Sequence, residues 1–470
     1  MKVFHFFAYL LLYPLAFAAI SLQEVYYLPL AWSQFEWNLE PIVLSVAISY
    51  LLANASVDKD FPFIKITIYT FYYVFFSIIP GYLYKLGYTP NYFSYQPDIP
   101  EYMFGFRLAI ISIICYEIGS MFSSKRGVSN ESLLADRKRI SPYIIYFCLA
   151  IAVASILMFI VLIGSPLLLV ADRSGFADYF DMDSSPASFA IVSSLTRVPA
   201  FMAAAILFML IVTRNKVTNA PAFPLVLFCT LPLSILANFP TAVPRFWLGS
   251  MVYCIALLYI ISARNYLKSL YPAFVMFSLL VAFPFSGILR NYFSDTRAQS
   301  FRTLVLDGYS NGQYDIFTML LSVVRYVEVF GHTYGKQTLG SLLFWVPRAV
   351  YPNKPYGTGY MVAQELQFTF FNLASPLLSE MYIDFGTVGV ALSFALFGFV
   401  ISRQERLVSR GAATEVRIIV LAFVAGWMVI LQRGSLNIAI ASLVPFLVLS
   451  YAISKMFYQH VISVRSRGTL

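Results

Sequence analysis

The chain has 470 residues, of which 59% are hydrophobic, 17% aromatic and only 12% charged. Soluble domains carry about 25% charged residues, so a soluble globular protein is excluded and a multi-spanning membrane protein is expected. Much of the net charge of +9 sits in short loops between apolar runs, where it sets orientation and does not signal a nucleic-acid partner.

Apolar runs of about 17–25 residues mark membrane spans. In chain order they fall near 3–20, 38–54, 63–84, 102–122, 141–163, 188–213, 223–239, 246–263, 270–289, 377–402, 416–432 and 436–457. The predicted fold is an all-α polytopic membrane protein of about 12 transmembrane helices, with residues 1–470 forming a single integral membrane domain. The opening MKVFHFFAYLLLYPLAFAAIS has the outline of a signal peptide, but the many later spans favour a first transmembrane helix. Cys115, Cys148, Cys229 and Cys254 lie inside apolar runs without CxxC spacing, as small buried hydrophobes do.

Lysine and arginine in the short loops fix the orientation. Lys125, Arg126, Arg137, Lys138 and Arg139 follow the fourth run, Arg214 and Lys216 the sixth, and Arg264 and Lys268 the eighth. Arg403, Arg406, Arg410 and Arg417 flank the tenth and eleventh, and Lys455, Arg465 and Arg467 close the chain. Alternating spans put all of these on one side, with the N- and C-termini cytoplasmic. The other side receives Glu24, Glu36, Glu40, Asp98, Asp172, Asp178, Asp181 and Asp183.

On that external side the stretch 290–376 is too long for a bare connector. It is also too apolar for disorder: YDIFTMLLSVVRYVEVF and TLGSLLFWV predict short amphipathic or re-entrant helices lying on the bundle. The loop holds Arg290, Arg297, Arg302, Arg325, Lys336, Arg348 and Lys354, on the face where cations should be scarce. Arg107, Arg173, Arg197, Arg245 and Arg433 also run against the orientation rule. Each could pair with an acid or snorkel to the interface. As a group they suggest an anion grip, because the guanidinium fork suits phosphate and carboxylate oxygens.

The most specific segment is VPRAVYPNKPYGTG, residues 346–359. Pro347, Pro352 and Pro355 stiffen the backbone and space Arg348 and Lys354 on a rigid strut, while Gly357 and Gly359 permit close approach to a ligand or a sharp turn. Beyond it, Glu380 and Asp384 share a helix face. Glu380 is a candidate general base near the mouth of a cavity, or the partner of an arginine. His332 reads as a solvated loop histidine. Metal-ligand spacing, a Walker loop, GxSxG and nucleotide fingerprints are all absent from the sequence, so metal-independent chemistry on a preactivated substrate, with no cofactor, is expected.

GQYDIFTMLL (312–321), FGHTYGKQTLGSLLFWVPRAVYPNKPYG (330–357) and SPLLSEMYIDFGTVGVALSFALFG (375–398) resemble the signature region of bacterial O-antigen or oligosaccharide repeat-unit polymerases of the Wzy type. The resemblance covers about the last third of the chain; the rest is similar only in hydropathy. It implies a polytopic glycosyltransferase, GT-C-like in fold, in the bacterial inner membrane, with 290–376 as its large periplasmic loop. It implies transfer of a growing glycan from undecaprenyl diphosphate to a new lipid-linked repeat unit. The implied partners are that lipid-linked glycan, membrane lipid and a chain-length regulator protein. Arg348, Lys354, Arg290 and Arg297 would grip the diphosphate, with Arg245 and Arg302 behind them, and Glu380 would orient or deprotonate the acceptor hydroxyl. Arg297 and Gly308 stand at the Arg-x10-Gly spacing of some relatives, but the external loop at 164–187 is short and holds only Arg173. An O-antigen ligase or a flippase for the same lipid-linked sugar is the alternative. A flippase would place its arginines at mid-depth along a central cavity.

Overall fold

A computed structural model describes residues 2–12, 39–81, 90, 92–125, 139–170, 186–262, 265–283, 314–371, 373–410 and 413–459; for residues 39, 124, 125, 139, 186–194, 245, 265, 266, 458 and 459 it describes the main chain only. These residues are almost entirely helical. In chain order the helices are α1 (Lys2–Leu12), α2 (Leu39–Ser56), α3 (Phe63–Gly81), α4 (Ile99–Lys125), α5 (Ile144–Ile163), α6 (Pro186–Val212), α7 (Phe223–Ala237), α8 (Arg245–Ser262) and α9 (Asn265–Phe277, continued by a π-helical turn Ser278–Ala282). Then come α10 (Ile316–Phe330), α11 (Lys336–Leu342), α12 (Thr358–Glu365), α13 (Leu377–Ser409), α14 (Glu415–Arg433) and α15 (Leu436–Phe457). Two short strands, β1 (Arg139–Ile140) and β2 (Tyr458–Gln459), pair antiparallel.

Each predicted span overlaps a described apolar helix, while residues 13–20 of the first, 82–84 of the third and 284–289 of the ninth lie outside the described residues. Seven of the described helices are long and apolar enough to cross a membrane: α3, α4, α5, α6, α13, α14 and α15. The other apolar segments, in α1, α2, α7, α8 and α9, are shorter. Internal proline does not decide the length: Pro232 and Pro272 lie inside α7 and α9, and Pro199 and Pro445 lie inside the longer α6 and α15.

The chain groups into two compact units. The first comprises Met1–Met121, Arg264–Glu405 and Trp427–Ile440. In it α3 is buried along almost its whole length and packs against α2 and α9. The Thr67 and Tyr271 hydroxyls share a hydrogen bond of 2.8 Å inside that packing. Helices α4 and α13 cross at small residues. A Cβ on Gly119 would stand 1.8 Å from the Ala395 carbonyl oxygen, and one on Gly398 would stand 2.0 Å from that of Tyr116. Such contact lets two backbones approach where apolar side chains gain nothing from leaving lipid. At one end of α3 the Glu405 carboxylate accepts from the main-chain N–H groups of Ile64 and Lys65, and Lys65 pairs with Glu117 at 2.9 Å.

The second unit comprises Phe122–Ala263, Arg406–Gly426 and Ala441–Leu470. Helices α5, α6 and α7 pack together there, and Phe159, Ile163 and Leu169 form a buried apolar cluster. Phe423 stacks on Phe446 with ring centroids 4.0 Å apart. The strand pair closes this unit in the register Arg139↔Gln459 and Ile140↔Tyr458.

Of the two forms expected here, amphipathic or re-entrant, helix α10 is more deeply buried than a surface-lying amphipathic helix would be. From Ile316 to Val324 every residue is buried. Phe317 packs against Phe106, Tyr102 and Phe76, and a Cβ on Gly105 would meet Leu321 Cδ2 at 2.7 Å. Tyr314 stacks on Phe75 at 5.0 Å and donates to the Leu279 carbonyl at 2.6 Å. Only the far end, with Arg325, Glu328, Val329 and Phe330, emerges.

Candidate functional site

The candidate site is built on the chain from α10 to the start of α13. Gly331, with φ of 82°, ends α10. The following loop folds onto α13, where the Asp384 carboxylate collects it. Asp384 accepts from the Thr333 hydroxyl, from the main-chain N–H groups of Gln337 (3.2 Å) and Thr338 (2.8 Å), and from the Thr338 hydroxyl (2.6 Å). A remote carboxylate thus fills the N-terminal turn of α11, where main-chain donors lack helical partners. Asp384 is fully committed to holding this loop. Two residues beyond it, Gly386 adopts φ 64° and ψ −158° and breaks the regular course of α13. The His332 ring lies against that break, with two of its atoms 3.2 Å from where a Cβ on Gly386 would stand.

The proline-rich segment is more folded than an extended strut. Main-chain bonds Val346 N–H to Leu343 O, Val350 and Tyr351 N–H to Pro347 O, and Lys354 N–H to Tyr351 O wind it into successive turns. Its prolines supply fixed φ values, and turns use these as readily as extended chain does. The coil is pinned at Gly340, where a Cβ would stand 2.4 Å from Pro355 Cγ. Gly359 serves a close approach of a different sort from that expected: a Cβ there would stand 2.1 Å from the Leu373 carbonyl oxygen, so it packs on protein backbone.

This coil brings Arg348 and Lys354 together. Arg348 Nη1 donates to the Lys354 carbonyl at 2.6 Å, and its guanidinium lies 4.0 Å from the centre of the Tyr356 ring. Lys354 Nζ turns inward and donates to the carbonyls of Phe344 (2.8 Å) and Val346 (3.1 Å). Partial burial, helped by the neighbouring Arg348 charge, holds the Lys354 ammonium below the usual lysine pKa. Lys65–Glu117, Arg107–Glu40 and Arg325–Glu328 are ion pairs between described residues, and none includes Arg348 or Lys354. Two adjacent cations are therefore held by carbonyl dipoles and an aromatic face. A guanidinium has five N–H donors, and here one carbonyl takes one of them.

Glu380 is buried. Its Oε2 accepts from the Thr358 hydroxyl at the start of α12, and its Oε1 from the Leu436 N–H, 3.3 Å away, at the start of α15. It joins three helix starts, and no described ion pair links it to either cation. Thr358 is four residues beyond Lys354, so Lys354 and the Glu380 junction lie within about 14 Å of each other along the main chain.

Among the other predicted site residues, Arg290, Arg297 and Arg302 lie outside the described residues, as does Gly308. Arg245 opens α8 in the second unit, and its side chain is likewise outside them. Arg107 pairs with Glu40 at 2.8 Å, and Arg197 donates to the Ala242 carbonyl at 3.1 Å. The sequence reading missed Asp315, at the entry to α10. It is buried, accepts from the Tyr92 hydroxyl at 2.6 Å, and is pushed above the usual carboxyl pKa by burial against the opposing charge of Arg433. An acid immediately before an apolar run is a helix-start signal and could have marked it. No protein-family model, curated protein or solved structure matches the chain.

Proposed function

We propose that the protein polymerises lipid-diphosphate-linked oligosaccharide repeat units, moving a growing glycan from its polyprenyl-diphosphate carrier onto a new lipid-linked unit. The observation that carries this reading is the Arg348–Lys354 pair: Arg348 is tied to the Lys354 carbonyl, its charge acts on the Lys354 ammonium, and neither side chain is in an ion pair with a described acid. A diphosphate is a competent leaving group, and preorganised cations stabilise the charge that grows on it as the glycosidic bond breaks. Arg348 supplies the planar fork and Lys354 a second positive charge. The resemblance of 312–398 to Wzy-type polymerases supports the same assignment. Twelve crossings, cytoplasmic termini and a bacterial inner-membrane location belong to this proposal.

Glu380 enters it in one of two ways: as the base for the acceptor hydroxyl, or as the brace that sets α12 and α15 around the site. Its bonds to Thr358 and Leu436 favour the brace.

The test is reconstitution. Purified protein is incubated with a defined undecaprenyl-diphosphate repeat unit and the products are sized. A ladder of lengthening chains that is lost in Arg348→Ala, with protein still in the membrane, is the expected result. Normal long-chain product from Arg348→Ala would overturn the site. Transfer to a lipid A core with no chain lengthening would instead favour a ligase.

A further inference from the structure

Helix α13 presents a continuous apolar stripe. Phe385, Val388, Leu392 and Leu396 are between 49% and 68% exposed on it. In a candidate membrane span this is the side that meets lipid. The hydrocarbon core takes about 20 helical residues. Counting back from the first cation of the polar end, Arg403, that length begins at Ile383.

The loop carrying the cation pair docks at that level. Thr333 N–H donates to the Ile383 carbonyl at 2.9 Å, Asp384 holds Thr333, Gln337 and Thr338, and Gly335 abuts the Phe385 ring at the top of the lipid-facing stripe. Outward from this contact, Tyr334, Leu339, Leu342, Trp345 and Val350 are between 49% and 82% exposed, although no candidate span includes them. Leu339 and Leu342 share a face of α11. An aromatic and aliphatic surface that continues a lipid-facing stripe, with Lys336 and Arg348 at its edge, fits the boundary between headgroups and acyl chains.

We propose that Tyr334–Val350 is an interfacial anchor. Its exposed apolar side chains rest in the leaflet that receives the N-terminal end of α13, and they hold the Arg348–Lys354 pair at the height of lipid phosphates. The lipid contact is independent of the polymerase reading; only the role of the pair at that height rests on it.

Trp345 offers the probe. The full-length protein and Trp345→Phe are placed in phosphatidylcholine nanodiscs, and the difference in tryptophan emission reports Trp345. Lipids brominated near the headgroup end of the acyl chain are expected to quench that difference to roughly half or less, with aqueous iodide having little effect. A second probe, Val350→Trp in the Trp345→Phe background, guards against a local change in packing and is expected to respond in the same way. Val388→Trp in that background gives the lipid-facing standard. If brominated lipid leaves the Trp345 and Val350→Trp emission unchanged while quenching Val388→Trp, the anchor is refuted, even in a protein that polymerises normally. If the anchor holds but the protein makes no polymer, the functional proposal fails alone.

Discussion

The ammonium of Lys354 reaches two main-chain carbonyls and no carboxylate. Its pKa is held below the ordinary lysine value by burial and by Arg348. The sign of the consequence follows from linkage. A folded-state pKa below the unfolded one means that the charged form is disfavoured by folding, so this group's penalty is present at neutral pH and lifts as pH rises towards the ordinary value. A diphosphate bound as proposed would reverse the shift by stabilising the ammonium. Anion affinity should therefore fall several-fold between ~pH 7.5 and ~pH 10, and Lys354→Arg should remove most of that fall because the guanidinium stays charged. Calorimetric titration with a soluble diphosphate at both pH values measures it. At Arg348, lysine is a poor replacement, since it loses the fork and the stack on Tyr356. Arg348→Lys should lower polymer formation at least tenfold, about 1.4 kcal/mol of transition-state stabilisation, in an initial-rate assay. The two carboxylates of α13 separate in the same way. Asp384→Asn replaces acceptor oxygens that face four donors. It should cost about 1–3 kcal/mol, read as a lower unfolding temperature in detergent. Glu380→Gln keeps one acceptor oxygen and should fold; full polymer formation by that variant removes the base role.

Among the elements, α10, α11 and the proline-rich coil behave as one body fastened to α13. Gly340 is its tightest point. Gly340→Ala must push Pro355 aside, which overpacking data put at about 1–3 kcal/mol, and it should disturb Lys354, next to that proline, and Arg348, which donates to the Lys354 carbonyl. Gly249→Ala on α8 is the matched control, because a Cβ there meets nothing within 4 Å. It should be neutral or stabilising by up to about 1 kcal/mol. Thermal unfolding of both variants, with polymer sizing, checks the contrast. The helices themselves were legible from composition and spacing: the boundaries of α4, α5, α14 and α15 fall within about three residues of the apolar runs. The burial of α10 was not legible, because its apolar face has the same pattern whether it covers a bundle or enters one. The residues that receive it, among them Phe76, Tyr102, Gly105 and Phe106, lie on other helices far away in sequence.

For the whole molecule, the charge asymmetry of the loops predicts that the coil bearing Arg348 and the loop after α13 lie on opposite sides of the membrane. A cysteine at exposed Asn353 should react with an impermeant maleimide in intact cells, whereas one at Arg410 should react only after permeabilisation. The reverse labelling pattern would invert the topology. The sequence by itself determined the class, the positions of the apolar helices and the segment where cations gather, because hydropathy and charge are properties of residues taken singly or at helical spacing. Only the tertiary structure decided what those cations and acids do. Lys354 turns to carbonyls ten and eight residues back, Asp384 caps α11, and Glu380 joins α12 to α15. Such pairings depend on which main-chain donors and acceptors are left without helical partners. That is fixed by where each helix ends in space, a contact between distant segments that periodicity does not encode.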